Sequence, residues 1–245
     1  KKTKAIIPVS LYGQCADLDT INQIAEKYNL AVIEDGAQSF GATYKKKHSC
    51  NLTTIATTSF FPSKPLGCYG DGGAIFTNNA ELAQKIKWIR VHGQDKRYHH
   101  AVLGLNGRLD TLQAGILLSK MRIFAKEVQL RAQVAQRYDR LFSDLNCTTP
   151  FIESENTSVY AQYTLQVANR DGLIEHLKAD GIPTAVHYPI PLHKQPIFLE
   201  HYHGQDLSIS EAVASRVMSL PMHPYLDEIT QDRIAASVKS FLTKA

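Results

Sequence analysis

Ala31-Val32-Ile33-Glu34-Asp35-Gly36-Ala37-Gln38-Ser39-Phe40-Gly41-Ala42 reads as a short buried strand that ends in an acid. In α/β proteins the carboxyl ends of parallel strands are where ligands bind. The stretch therefore predicts an α/β sheet with Asp35 at its ligand-bearing end.

Downstream lies Ser59-Phe60-Phe61-Pro62-Ser63-Lys64-Pro65-Leu66-Gly67, then the glycine-rich Cys68-Tyr69-Gly70-Asp71-Gly72-Gly73. Lys64 is walled by phenylalanines and prolines. An amine becomes a nucleophile near neutrality when apolar walls or a nearby cation lower its pKa, and lysine is the side chain that forms Schiff bases in this way. From these residues alone, a solvated lysine in a Pro/Gly loop is the other reading. An aspartate at a strand end upstream of such a lysine matches what pyridoxal phosphate needs. The carboxylate keeps the pyridine nitrogen protonated, the lysine holds the aldehyde, and a hydroxyl such as Ser59 binds the phosphate.

Three segments carry a wider resemblance: Glu34 to Gln38, Ser59 to Gly73, and Gly104-Leu105-Asn106-Gly107-Arg108-Leu109-Asp110-Thr111-Leu112-Gln113-Ala114. In order and spacing the chain resembles the DegT/DnrJ/EryC1/StrS family of pyridoxal-phosphate-dependent nucleotide-sugar aminotransferases. It is most similar to the members that aminate a UDP-linked 3-keto hexuronic acid for surface polysaccharide such as O-antigen. One departure is Gly36, where the family usually has alanine. The resemblance implies a fold-type I aminotransferase: a large domain with a mixed, mainly parallel sheet over residues 1–123, and a smaller α+β domain over 124–245. The chain opens Lys1-Lys2-Thr3-Lys4 without a methionine. Family members carry roughly a hundred residues before this point. An N-terminally truncated large domain is therefore expected, lacking a Gly-Thr turn whose helix N-terminus would help bind the phosphate.

The resemblance also implies roles. Lys64 is the catalytic lysine that holds the cofactor and moves a proton. Asp35 sustains the ring charge, Gln38 hydrogen-bonds the ring phenolate, Ser59 binds phosphate, and Asn106 reaches phosphate across a homodimer with shared active sites. Arg108, His187 and Tyr188 are expected to grip the uronate carboxylate of the sugar. For His187 and Tyr188 the residues alone also allow a core histidine and a packing tyrosine. Glutamate is the expected amino donor. Two rivals are a pyridoxamine-dependent sugar dehydratase, whose relatives replace the lysine with histidine, and a non-catalytic remnant used for binding.

Composition bounds the remaining classes. The chain has 245 residues, 44% hydrophobic and 20% charged, with a mild net charge of +4. That is a globular balance. No apolar run approaches the ~20 residues of a membrane span, so no membrane partner is expected. The basic run Lys45-Lys46-Lys47 reads as a solvated turn rather than a nucleic-acid patch. The four cysteines show no paired spacing, which reads as free thiols in a reducing cytoplasm. The ten histidines lack zinc-site spacing, so no metal is expected.

Local signals predict the layout. Asp17 caps a helix with apolar residues at Ile21, Ile24, Ala25 and Tyr28. Strands are expected at Ala5 to Leu11, Ala31 to Glu34, Ile55 to Phe60 and Gly73 to Thr77. Asn79 caps a helix through Ile89. A long helix from Leu109 to about Leu145 is expected to break or bend near Phe124. A strand from Val159 to Val167, a helix from Arg170 to Ala179, a strand leading through His187 to Pro189, and two amphipathic helices complete the reading.

Overall fold

The computed structural model describes residues 2–243. It divides into two compact units. The first comprises the chain through Gln129 and the returning segment Ile152–Ala161, and the second Leu130–Phe151 and the chain from Gln162 on. The sequence expectation set the division at residue 123.

The first unit holds β1 (Ala5–Ile6), α1 (Leu18–Tyr28), β2 (Ala31–Asp35), β3 (Thr43–Tyr44), β4 (Lys47–His48), β5 (Ile55–Ser59), β6 (Gly73–Phe76), α2 (Ala80–Ile89), β7 (Gln94–Lys96) and β8 (His99–His100). The main sheet has the order β1-β2-β5-β6. β1 and β2 run parallel, as do β2 and β5, whereas β6 returns antiparallel to β5. The expected mixed, mainly parallel α/β sheet is present. Strand β1 is shorter than the apolar run Ala5 to Leu11. Beyond Ile6 only Val9 pairs, in a single parallel bridge to Asp35, because Pro8 cannot donate to the ladder.

The helix caps behave as their residue types require. Asp17 accepts the Thr20 N–H at 3.3 Å and Asn79 accepts the Leu82 N–H at 3.0 Å, each satisfying an otherwise orphan donor. In α1, Leu18 and Ala25 are buried, while Ile24 and Tyr28 of the same apolar stripe are exposed. The Lys45-Lys46 turn joins β3 to β4 with both residues at positive φ, as a two-residue hairpin requires. The Lys45 ammonium pairs with Asp19 at 2.8 Å.

Helix α3 (Thr111–Leu141) runs through Phe124 without the break that was one of the two expected outcomes there, and its residues fall in both units. It contains no proline, and Phe124 is an anchor rather than a hinge. Its ring stacks on Phe40 at 6.0 Å, beside the core cluster of Phe60, Leu66, Cys68 and Leu117.

The second unit contains β9 (Tyr163–Gln166), α4 (Arg170–Ala179), α5 (Ser208–Arg216), β10 (Val217–Leu220) and α6 (Glu228–Leu242). Strands β9 and β10 pair antiparallel, and α4 packs on α6 and β10. Tyr138, Phe142 and Tyr163 form the aromatic centre of this unit, with Tyr138 and Tyr163 at 4.9 Å. β10 was not foreseen. Its four residues are all buried, so it carries no alternation to mark it as a strand. The expected strand through His187 does not form. Ala185 makes one bridge to Ser219, and Pro183 and Pro189 flank a segment without a ladder. Among the described residues, no helix is long and apolar enough to cross a membrane.

Candidate active site

The first unit builds its site at the carboxyl ends of β2 and β5. Asp35 lies opposite Thr57 in parallel register. Side chains alternate along a strand, so Asp35, Thr57 and Ser59 share one face. The backbone of Asp35 is fixed from the other side: its N–H donates to the Pro8 carbonyl at 2.9 Å, and its carbonyl accepts the Ser10 N–H at 3.0 Å. Its carboxylate Oδ1 accepts the Ala37 N–H at 3.0 Å, which orients the acid across the turn that follows. Gln38, 5% exposed, closes this turn. Its Oε1 accepts the Tyr12 N–H at 2.6 Å, so the amide nitrogen is its donor end. Ser59 Oγ accepts the Phe61 N–H at 3.2 Å, which directs its own hydroxyl proton elsewhere.

Lys64 is half-buried on a closed loop. The loop's ends meet where the Phe60 N–H donates to the Gly72 carbonyl at 2.8 Å. Cys68 draws the chain back: its N–H reaches the Phe60 carbonyl at 2.8 Å, and its thiol lies 3.0 Å from the carbonyls of both Phe60 and Gly70. Gly67 is required by close approach, since a Cβ there would lie 2.6 Å from the Pro62 carbonyl oxygen. At the apex, the Lys64 N–H donates to the Phe61 carbonyl at 2.9 Å. Two side chains of α3 hold the loop from outside. Gln113 accepts the Tyr69 N–H at 2.8 Å, and Lys120 donates to the Gly67 carbonyl at 2.6 Å. Sequence reasoning gave neither residue a role. Gln113 stood in plain view within the third family-like segment.

Asn106 and Arg108 are exposed in the same unit. Gly107 between them donates to the Arg90 carbonyl at 2.8 Å, and Asn106 bridges to Val91, which ties this turn to the end of α2. A cavity of about 570 Å³ is walled by Thr57, Gly73 and Ile75 on one side and by Lys87, Arg90 and Gly107 on the other. Asp35 and Lys64 are not part of its wall. The cavity adjoins the Asn106–Arg108 turn and the row of β5 that faces Asp35.

His187 and Tyr188 belong to the second unit. His187 Nδ1 is 3.0 Å from Ser219 Oγ, which is itself 3.0 Å from Thr164 Oγ1 in the buried face of the β9–β10 pair. The histidine is therefore held by the sheet even though its own segment is not a strand. The Tyr188 ring meets it edge-on at 5.6 Å and is 54% exposed.

The mixed, mainly parallel sheet is that of the fold-type I aminotransferases. The chain belongs to the DegT/DnrJ/EryC1/StrS aminotransferase family, which it matches over residues 1–239. It is 61% identical over 237 residues to the UDP-2-acetamido-2-deoxy-3-oxo-D-glucuronate aminotransferase of Pseudomonas aeruginosa, covering 97% of this chain and 66% of that protein. The chain thus spans just under two thirds of that relative's length. Among solved structures, a DegT DnrJ EryC1 StrS aminotransferase from Brucella abortus superposes with a TM-score of 0.94 at 43% identity, over 98% of this chain and 64% of that one. DesV of S. venezuelae, solved in complex with a ketimine intermediate, superposes with a TM-score of 0.96 at 33% identity, over 100% of this chain and 66% of its own.

Proposed function

We propose that this protein is a pyridoxal-phosphate-dependent aminotransferase that moves an amino group from glutamate to a nucleotide-linked keto sugar, a UDP-linked 3-keto hexuronic acid, in the synthesis of bacterial surface polysaccharide. The observation that carries the reading is the alignment of Asp35, Thr57 and Ser59 on one face, with Lys64 on a braced loop directly after Ser59. The similarity to the Pseudomonas aeruginosa enzyme supports the choice of sugar.

These residues fit pyridoxal phosphate. Asp35 Oδ1 is engaged by the Ala37 N–H, which leaves Oδ2 as the oxygen for a protonated ring nitrogen. The donor end of Gln38 suits a phenolate oxygen. The Ser59 hydroxyl, already accepting a backbone N–H, has its proton to give to a phosphate oxygen. When bound, the cofactor supplies an electron sink that eases loss of a proton from the substrate carbon. Lys64 would hold the cofactor through its Nζ, and with that amine free it would take and return the proton of the substrate carbon, acting in turn as base and acid. Arg108 offers a planar fork for the sugar carboxylate, and the segment with His187 and Tyr188 would serve the active site of a second copy of the chain as a further source of hydrogen bonds. Asn106 contributes to phosphate binding across a homodimer whose active sites are shared. The four unpaired cysteines fit a cytoplasmic setting.

The test is amino-group transfer. Protein loaded with pyridoxal phosphate and given glutamate should release one 2-oxoglutarate per cofactor. Subsequent addition of the UDP-linked keto uronic acid should yield the amino sugar. Absence of 2-oxoglutarate from a cofactor-loaded sample would refute the reading.

A further inference from the structure

Glu34 and Asp35 are neighbours on β2 and point to opposite faces. Asp35 faces Thr57 and Ser59, while Glu34 lies beneath, 0% exposed. Both Glu34 oxygens are engaged. The Ser49 hydroxyl donates to Oε1 at 2.8 Å, and the Cys50 N–H donates to Oε2 at 2.9 Å. Ser49 Oγ is also 2.7 Å from Ser39 Oγ. Ser39 ends the turn that begins at Gly36, whose carbonyl accepts the N–H groups of both Ser39 and Phe40 at 3.1 Å. A line of buried polar side chains thus joins the end of β2 to the far end of the turn that carries Gln38. Buried polar groups of this kind are stable only when fully paired, and the pairing makes them rigid.

Cys50 completes the arrangement. It sits at φ +67°, a region that residues with a Cβ seldom occupy, and Glu34 captures its N–H. Its thiol lies over Gly36. A Cβ on residue 36 would fall 2.5 Å from Cys50 Sγ, and 3.2 Å from both Ser49 Oγ and the Thr57 carbonyl oxygen. That carbonyl accepts the Gly36 N–H at 2.8 Å and is also 3.8 Å from the Cys50 thiol. The alanine that the family pattern leads one to expect at 36 has no room beside this cysteine.

We propose that Glu34, Ser49, Ser39 and Cys50 form a positioning set beneath the cofactor turn, fixing Asp35 and Gln38 from below, and that Gly36 and Cys50 are an interdependent pair. The thiol at 50 occupies the space that a methyl at 36 would need. The functional half of this proposal rests on the aminotransferase reading; the packing half does not.

The experiment compares the parent chain with Gly36→Ala, Cys50→Gly, the Gly36→Ala/Cys50→Gly double variant, Glu34→Gln and Glu34→Leu. Each is titrated with pyridoxal phosphate by absorbance and melted without cofactor. Gly36→Ala should weaken cofactor binding by about tenfold or more and lower Tm. The double variant should regain most of both losses, because glycine at 50 removes the thiol and accepts positive φ. Glu34→Gln keeps an acceptor for the Cys50 N–H and a polar partner for Ser49. It should bind cofactor within about threefold of the parent, and Glu34→Leu should not. Should Glu34→Leu fail to fold, the 36/50 cycle still decides. The proposal is overturned if Gly36→Ala binds and melts like the parent, if the double variant is no better than Gly36→Ala, or if Glu34→Gln loses as much affinity as Glu34→Leu. A parent that binds no pyridoxal phosphate would instead refute the aminotransferase reading and with it the functional half. The pattern of Tm values would then judge the packing half alone.

Discussion

Gln113, in the first turns of α3, accepts the backbone N–H of Tyr69 at 2.8 Å, and through that bond the helix holds the loop that carries Lys64. Lys120 adds a second hold at the Gly67 carbonyl, with its ammonium 4.9 Å from the centre of the Tyr69 ring. The loop has little secondary structure of its own, so these contacts and the Cys68 bonds set its order.

Loss of those holds should loosen the loop before it unfolds the protein. A neutral hydrogen bond contributes about 1 kcal/mol and one to a charged group about 1.5–3 kcal/mol. Gln113→Ala should raise amide hydrogen exchange across residues 61–71 by about fivefold, and Lys120→Met by about tenfold or more, with α1 unaffected. Unchanged exchange in both variants would show that the loop is ordered from within.

Arg108 should separate the two half-reactions. It is exposed, so Arg108→Ala should leave Tm nearly unchanged and release of 2-oxoglutarate from glutamate nearly intact. Use of the uronic acid sugar should weaken by roughly 2–5 kcal/mol, the range for removing one partner of a charge pair buried on binding. Equal loss in both halves would assign Arg108 to the cofactor instead.

Much of this framework was legible in the sequence because its signals are local. Asp17 and Asn79 cap helices through residues three positions on, and Asp35 ends a short apolar run that reads as a buried strand. The loop that carries Ser59 and Lys64 stood out because its aromatic and proline setting is contiguous. The contact between Gln113 and Tyr69 spans 44 residues, and nothing near either residue announces it. The helix does not break at Phe124, whose ring docks on Phe40, a contact across 84 residues that no local signal carries. His187 was expected on a strand. The sheet does hold it, but through the Ser219 hydroxyl.

The buried acid gives a pH signature. Burial raises the Glu34 pKa above its ordinary value, and the neighbouring Asp35 charge adds to this, against the hydrogen bonds from Cys50 and Ser49. Above the ordinary glutamate value, about 4.3, the unfolded chain has released this proton while the folded chain still holds it. The folded state therefore binds more protons there, and the stability Glu34 contributes is fully present below that pH and is lost as pH rises through the raised value. In denaturant titrations the parent should be most favoured relative to Glu34→Gln near the ordinary glutamate value and lose ground toward neutrality. A flat difference, or one that grows with pH, would mean that Glu34 is ionised in the fold at ordinary acidity.

In the proposed enzyme, Lys64 is the residue to which pyridoxal phosphate attaches. Borohydride reduction of the cofactor-loaded protein, followed by peptide mapping, tests it most directly. A single reduced adduct is expected on Lys64, within the peptide that contains Phe61-Pro62-Ser63-Lys64-Pro65. An adduct on another lysine, with Lys64 unmodified in a protein that binds the cofactor, would contradict it.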